Sequence, residues 1–340
     1  MRIALVAPPF SRNDGPGIVV KNLFQALQKK QGIEVTLFAP GDWDLPGNHK
    51  TTIPKSLREI KGFLQQTPFE RRNLIFENIL KVSLFEEQFD IIHLHSQYAY
   101  ALASILHKPC VLTLHNKIIP EEIRQLQRQG VNLVALSKLH GRDFPSIPVI
   151  SNGINLDDIT PSFSEGNYLI FIGRLHESKG AHTAIEIALK TNSKLLIFGR
   201  IGNSEKRQAY FREKIAPFLN EHIIHKDETT QAELFSYLRH ATALLCPIQS
   251  RRTVCPLVMM ESLACGTPII GCEVAPLEEL PGWQNVATLS GNINTLIRSV
   301  KTIKSVDRNL CRTFAKKHFC ASIMAEKYLQ LYQRILGTSL

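Results

Sequence analysis

The stretch 168-YLIFIGRLHESKGAHTAIEIAL-189 decides the fold. Tyr168–Ile172 is a short, nearly unbroken apolar run, as expected of a strand covered on both faces. Gly173-Arg174 ends it, and a helical pattern follows from about Ala181 to Leu189. Strand, loop and helix in this order are one unit of a parallel sheet. The rhythm continues downstream. Strands are expected at Lys194–Phe198, Ile223–His225, Ala243–Cys246 and Pro268–Gly271. Helices fall across Glu205–Leu219, Ala232–Arg239 and Leu257–Ala264. It also runs upstream. Arg2–Ala7 is strand-like, a turn bearing Gly15 and Gly17 follows, and Ile18–Lys30 places Val19, Leu23, Ala26 and Leu27 on one helical face, closed by Gly32. Glu34–Ala39, Ile91–Leu94, Val111–Leu114 and Leu133–Leu136 are further strands, and residues 56–88 read as two amphipathic helices parted near Thr67-Pro68.

The fold class is therefore α/β: two doubly wound halves, joined near the turn-rich Asn155–Glu165. Ligands of such sheets sit at the carboxyl ends of the strands, so the expected site is the cleft between the halves. The chain has 340 residues, 44% hydrophobic and 21% charged. That excludes disordered, collagen-like and disulfide-stapled classes. No apolar run reaches the roughly 20 residues of a membrane-spanning helix. The start reads as a buried strand of a cytoplasmic protein, and seven cysteines without CxxC spacing read as small buried hydrophobes in a reducing compartment. The formal net charge of +10 is unevenly placed: residues 298–340 hold nine basic and two acidic side chains, while residues 161–297 balance to zero. With no zinc finger and no basic stretch interleaved with aromatics, nucleic acid is not an expected partner. A basic face toward an anionic membrane or an acidic partner fits better.

Several residues carry chemistry. Gly15 and Gly17, at the first strand-to-helix turn, suit close approach of a ligand to a helix N-terminus. The second strand ends Leu37-Phe38-Ala39-Pro40 without a carboxylate, which speaks against a NAD site. Arg174 and Lys179, five residues apart after a strand, suit a diphosphate: a fork of donors and a compact charge. Glu261 is the only charged group in the apolar run Cys255–Ala264. A carboxylate there needs a partner, and a vicinal diol such as a ribose is one. His93 and His95 share one face of a strand but show no third metal ligand. Asp42-Trp43-Asp44 imitates a metal-binding DxD. Arg251-Arg252 is either a solvated loop or a contact for a charged sugar. Phe63, Leu64, Phe69, Leu74, Ile75, Phe76 and Leu80, with Arg71-Arg72 beside them, suit a cleft wall, an acceptor contact or a lipid contact.

Taken together, Ile172-Gly173-Arg174-Leu175 with Lys179-Gly180, and Glu261-Ser262-Leu263-Ala264-Cys265-Gly266-Thr267-Pro268, resemble a retaining nucleotide-sugar glycosyltransferase of the GT-B fold, family GT4. The resemblance extends through Asp90–His95, Thr113-Leu114-His115-Asn116, Ala135-Leu136-Ser137, Ile150–Asn155 and the final Tyr328-Leu329-Gln330-Leu331-Tyr332. It implies two facing Rossmann-like domains: residues 1–158 for the acceptor, 159–318 for the donor, and 319–340 as a helix packing back on the first. It implies transfer of a hexose from a UDP- or GDP-linked sugar to a sugar or lipid-linked acceptor, with retention of configuration and without a metal or other cofactor. Arg174 and Lys179 would hold the diphosphate, Glu261 the ribose, and the backbone of Leu257 and Val258 the phosphates. His115 would lie beside the transferred sugar, with Gly15, Gly17 and Gly173 bordering it. A basic C-terminal region would suit peripheral contact with the inner face of the membrane.

The sequence departs from the family pattern at Thr253, where a second Glu is usual, and at Cys255-Pro256, where Phe-Gly is usual. Proline has no N–H for a phosphate. These departures keep two other readings open: a nucleotide-sugar-binding pseudoenzyme or partner subunit, and a sugar-nucleotide epimerase of the same fold.

Overall fold

The computed structural model describes all residues except 64–66, 97–104, 117, 165, 228, 250–255, 274 and 339–340. The chain forms two compact units: Met1–Ile154 together with Ala321–Leu340, and Asn155–Cys320. Each is built on a six-stranded parallel sheet.

In the first unit the strands are β1 (Arg2–Val6), β2 (Glu34–Ala39), β3 (His49–Thr51), β4 (Ile91–Leu94), β5 (Cys110–Thr113) and β6 (Asn132–Val134), in the order β3-β2-β1-β4-β5-β6. In the second they are β7 (Leu169–Ile172), β8 (Leu195–Phe198), β9 (Ile223–Lys226), β10 (Ala243–Cys246), β11 (Ile269–Gly271) and β12 (Ala287–Leu289), in the order β12-β11-β10-β7-β8-β9. The two orders are the same doubly wound topology, read from opposite edges. The inner strands β8 and β10 are buried at every residue, which is why they read as continuous apolar runs, and β4 is equally buried around His93. The edge strands β3 and β12 have three residues each and no such run, so the apolar pattern reveals neither.

The helices are α1 (Gly15–Gln28), α2 (Pro68–Ser83), α3 (Pro120–Arg128), α4 (Ala181–Thr191), α5 (Glu205–Lys214), α6 (Gln231–Arg239), α7 (Leu257–Ala264), α8 (Ala275–Glu278), α9 (Ile293–Thr302), α10 (Arg308–Phe319) and α11 (Ala321–Leu336). The span 56–88 is not two helices. Leu57–Glu59 is a single 3-10 turn, and the backbone reverses at Gly62, where φ is +80°. Among the described residues of this span, α2 is the one α-helix, started by a capping box between Thr67 and Glu70. Of the apolar set in this span, Phe63 and Ile75 are buried in the core, while Phe69 and Leu80 are exposed.

The last helix belongs to the first unit. The Tyr332 and Tyr328 hydroxyls reach His93 Nδ1 at 2.6 Å and Thr113 Oγ1 at 2.7 Å, both beneath the sheet's carboxyl end. Lys30 and Glu326 add an ion pair of 2.7 Å at the surface. In the second unit, the buried Arg308 of α10 donates to the carbonyls of Ser162, Ala241 and Arg239 and to Thr267 Oγ1. Arg312 donates to the carbonyls of Ala264 and Leu156. Two of the nine basic side chains in residues 298–340 thus tie chain segments together and are unavailable to a partner.

Candidate functional site

The second unit gathers the donor-type residues at the carboxyl ends of β7 and β10. After β7, the Gly173 N–H donates to Phe198 O at 2.9 Å, and Leu175 is fully buried, so the loop is pinned where it leaves the sheet. Arg174, between them, is exposed. A 3-10 turn follows (Glu177–Lys179), in which His176 Nδ1 accepts from the Ser178 N–H at 3.2 Å. Gly180 then takes φ +77° and starts α4. A side chain at Gly180 would overlap the Pro247 carbonyl. The Gln249 N–H also donates to Ser178 O at 3.1 Å. The Arg174–Gly180 loop is therefore sewn to the segment that leads from β10 into α7.

Lys179 is half-buried, and its pKa is lowered, first by burial and then by the Arg174 guanidinium. Neither cation has a carboxylate partner among the described residues. Two like charges held close without an anion are unfavourable until one arrives.

Pro256 caps α7, with Leu257 and Val258 half-buried in its first turn. First-turn N–H groups have no intrahelical acceptor, and with the helix dipole they favour an anion. One turn on, Glu261 is buried at 7% exposure and its pKa rises to about 7, because burial penalises the carboxylate. Its side-chain contact is a long 3.5 Å bond from Gln231 Nε2, at the start of α6. Sequence reasoning missed Gln231, since only a capping box (Thr230, Glu233) marks that position. Thr253 lies outside the described residues, as do Arg251, Arg252 and Cys255.

The glycines differ in kind. A side chain at Gly17 would overlap Ser11 O, so its own loop already requires Gly17. Gly15 has open space around it, and Gly173 would make only ordinary contacts. Those two can border a ligand, and alanine there leaves the fold unstrained.

In the first unit, His115 follows β5, and its Nε2 pairs with His95 Nδ1 at 2.8 Å. His93 packs on His95 with ring centroids 4.1 Å apart, and its two nitrogens face Tyr332 and Thr113. Tyr332 is fully buried and its hydroxyl has no other partner among the described residues. It therefore donates to Nδ1, and His93 carries its proton on Nε2. Burial drives the pKa of His93 and His95 well below the usual value and that of His115 to about 3. The three rings are neutral at physiological pH, so the HxH pair is a packed, hydrogen-bonded element of the core. Asp42 is likewise structural: its carboxylate accepts from Ser56 N–H at 3.0 Å and Ser56 Oγ at 2.8 Å, while Trp43 is buried.

The comparisons with known proteins agree with this layout. The Glycosyltransferase Family 4 model matches residues 13–158, and the Glycosyl transferases group 1 model matches residues 155–306. The chain belongs to the GT4-type glycosyltransferases of the GT-B fold. A D-inositol 3-phosphate glycosyltransferase of Jonesia denitrificans is 24% identical over 248 residues. The match covers 56% of this chain and spans 57% of that relative's length. Among solved structures, sucrose-phosphate synthase from Thermosynechococcus elongatus aligns over 100% of both chains with a TM-score of 0.75 and 17% identity. AviGT4, a glycosyltransferase of avilamycin A biosynthesis, aligns over 100% of this chain and 99% of its own, with a TM-score of 0.72 and 18% identity. HepE of Anabaena in complex with UDP-glucose aligns over 98% of this chain and 100% of its own, with a TM-score of 0.72 and 16% identity. Among the described residues of this chain, no helix is long and apolar enough to cross a membrane.

Proposed function

We propose that this glycosyltransferase moves a hexose from a nucleoside diphosphate sugar to an acceptor hydroxyl, with retention of configuration and without a metal. One observation carries the reading. Arg174 and Lys179, two cations without a carboxylate partner among the described residues, share a loop stitched to the segment feeding α7. The buried Glu261 of α7 has no close cationic partner among those residues either. The cations would take the diphosphate, and α7's first turn, at Leu257 and Val258, would add backbone donors. Glu261 would accept from the ribose hydroxyls.

As the glycosidic C–O bond breaks, the electron pair goes to the departing phosphate, where Arg174 and Lys179 stabilise it. The acceptor oxygen bonds to the anomeric carbon on the same face, and its proton goes to the leaving phosphate. His115, held neutral, can offer a hydrogen bond to the sugar but no charge. Incubation with a panel of nucleotide sugars, with UDP-glucose first, should give nucleoside diphosphate release that depends on Arg174. No binding and no turnover with any donor would defeat the reading.

Pro256 at the cap of α7 favours one competing reading, a nucleotide-sugar-binding pseudoenzyme, since this position cannot donate to a phosphate. A donor would then bind and never be consumed, and Thr253→Glu would be the variant to restore turnover. Transfer by the unaltered protein eliminates it. For the acceptor, we propose a lipid-linked sugar reached at an anionic surface. Arg308 and Arg312 are internal, so the exposed Lys301, Lys316 and Lys317 of the second unit would carry the contact. The protein should cosediment with vesicles containing acidic lipid and not with neutral ones, and the binding should weaken with salt.

A further inference from the structure

Resting on the glycosyl-transfer reading, we infer that His95 and His140 are positioning residues that clamp His115 from two sides and leave its Nδ1 as the atom that meets the ligand. His115 stands at the carboxyl end of β5, between the ends of β4 and β6. From the β4 side, buried His95 engages the ring itself, Nδ1 to Nε2 at 2.8 Å. That contact occupies His115 Nε2. Nδ1 has no protein partner among the described residues, and the residue as a whole is half-buried.

From the β6 side, His140 holds the main chain. Its Nδ1 accepts from the Leu136 N–H at 3.2 Å, and its Nε2 meets the carbonyl of Asn116, the residue after His115, at 2.8 Å. Both partners are backbone groups with fixed roles, so one tautomer alone satisfies them: lone pair on Nδ1, proton on Nε2. The His140 N–H donates to Ser137 Oγ at 2.9 Å and Gly141 N–H to Ser137 O at 3.1 Å, which folds the ring back over the turn. A side chain at Gly141 would crowd Ala135 Cβ at 3.0 Å. The imidazole thus bridges the ends of two neighbouring strands, β5 and β6, at the residue beside His115.

The clamp acts through His115 and does not touch the reacting atoms. Its loss should therefore lower kcat more than it raises the donor KM. An error of about 1 Å in placing such a group costs up to about 100-fold in rate. His95→Leu and His140→Leu should each lower kcat by about 10- to 100-fold, with donor KM changed less than about threefold. His95→Asn, whose amide falls where Nδ1 was, should recover most of the His95→Leu loss. At the clamped residue, His115→Asn keeps a polar group at the Nδ1 position and His115→Gln keeps one at Nε2, so His115→Asn should be the more active. Ring-15N NMR of the unaltered protein should show His140 as the Nε2–H tautomer and His115 in one ring orientation. In His95→Asn and His140→Leu the same spectra report whether that orientation survives. The inference is overturned if both leucine variants keep kcat within about threefold, if KM alone moves, if His115→Gln exceeds His115→Asn, or if His140 is the Nδ1–H tautomer. Absence of turnover in the unaltered protein would instead count against glycosyl transfer, and the NMR arm would still decide whether the clamp exists.

Discussion

Replacing Glu261 by Gln should make the ligand-free protein more stable at pH 8 while removing most of its affinity for the nucleoside diphosphate. The carboxyl group of Glu261 is buried, and its pKa stands at about 7 against 4.5 for an ordinary glutamate. The sign follows from proton counting. Between pH 4.5 and 7 the folded state holds a proton that the unfolded state has released, so stability falls as pH rises through this window. Above pH 7 the fold carries a desolvated carboxylate. A shift of this size corresponds to about 3 kcal/mol. A neutral amide at the same position carries no such penalty. The melting temperature of the second unit should rise by roughly 6–12 °C at pH 8, and the gain should shrink toward pH 4.5. Ligand affinity should move the other way. A carboxylate accepting from two ribose hydroxyls loses about 1.5–3 kcal/mol per bond when replaced, so Kd should rise by at least about 100-fold. Wild-type affinity should strengthen as pH rises through 7 and that of the variant should not. Melting curves at pH 5 and 8, with calorimetric titration of UDP or GDP, measure both halves. A variant that binds as tightly as wild type, or that melts lower at pH 8, would overturn the role given to Glu261.

The fold was largely legible because its central strands are covered on both faces. Val111–Leu114 or Lys194–Phe198 can be read as strands within a residue or two, since nearly every position is apolar for the same physical reason. Legibility stops where a few residues pair only at an edge. His49–Thr51 and Ala287–Leu289 have no run to see. It also stops where apolar residues anchor a turn. Leu57 and Phe63 mimic a helical stripe, yet they plug the core from either side of a reversal at Gly62. Among the candidate site residues, Arg174, Lys179 and Glu261 announce themselves as charges that a neighbouring apolar pattern does not explain. The supporting groups do not, His95 showing only as half of an HxH pair. Gln231, His95 and His140 matter through hydrogen bonds to positions 30, 20 and 24 residues away. No local pattern encodes such a contact. The basic C-terminal surplus misleads in the opposite direction, because net charge cannot tell Arg308, buried and saturated by carbonyls, from a lysine in water.

Arg174→Ala and Lys179→Met should each lower kcat by about 10²- to 10³-fold, the double variant falling well short of the product of the two losses. On the proposed reading the two side chains face one leaving group, so removing either would leave the other to hold it less well placed. Arg174→Lys should recover little, because a point charge cannot reproduce a planar fork of donors on phosphate oxygens. The stability arm separates this role from a structural one. The pKa of Lys179 is lowered by burial and by Arg174, so at neutral pH its charge burdens the empty fold. A lysine with a depressed folded pKa is least costly above its unfolded value of 10.5, where both states are neutral, and costs most below its folded pKa. Lys179→Met should therefore melt at or above wild type at pH 7 and lose that advantage near pH 11. Saturating nucleoside diphosphate should raise the wild-type melting temperature, because a ligand that binds only the folded state adds its binding free energy. That rise should be much smaller in both single variants. A cation kept for packing behaves otherwise: its removal lowers the melting temperature and leaves kcat nearly intact. Such an outcome at either position would transfer that residue from the leaving-group site to the scaffold.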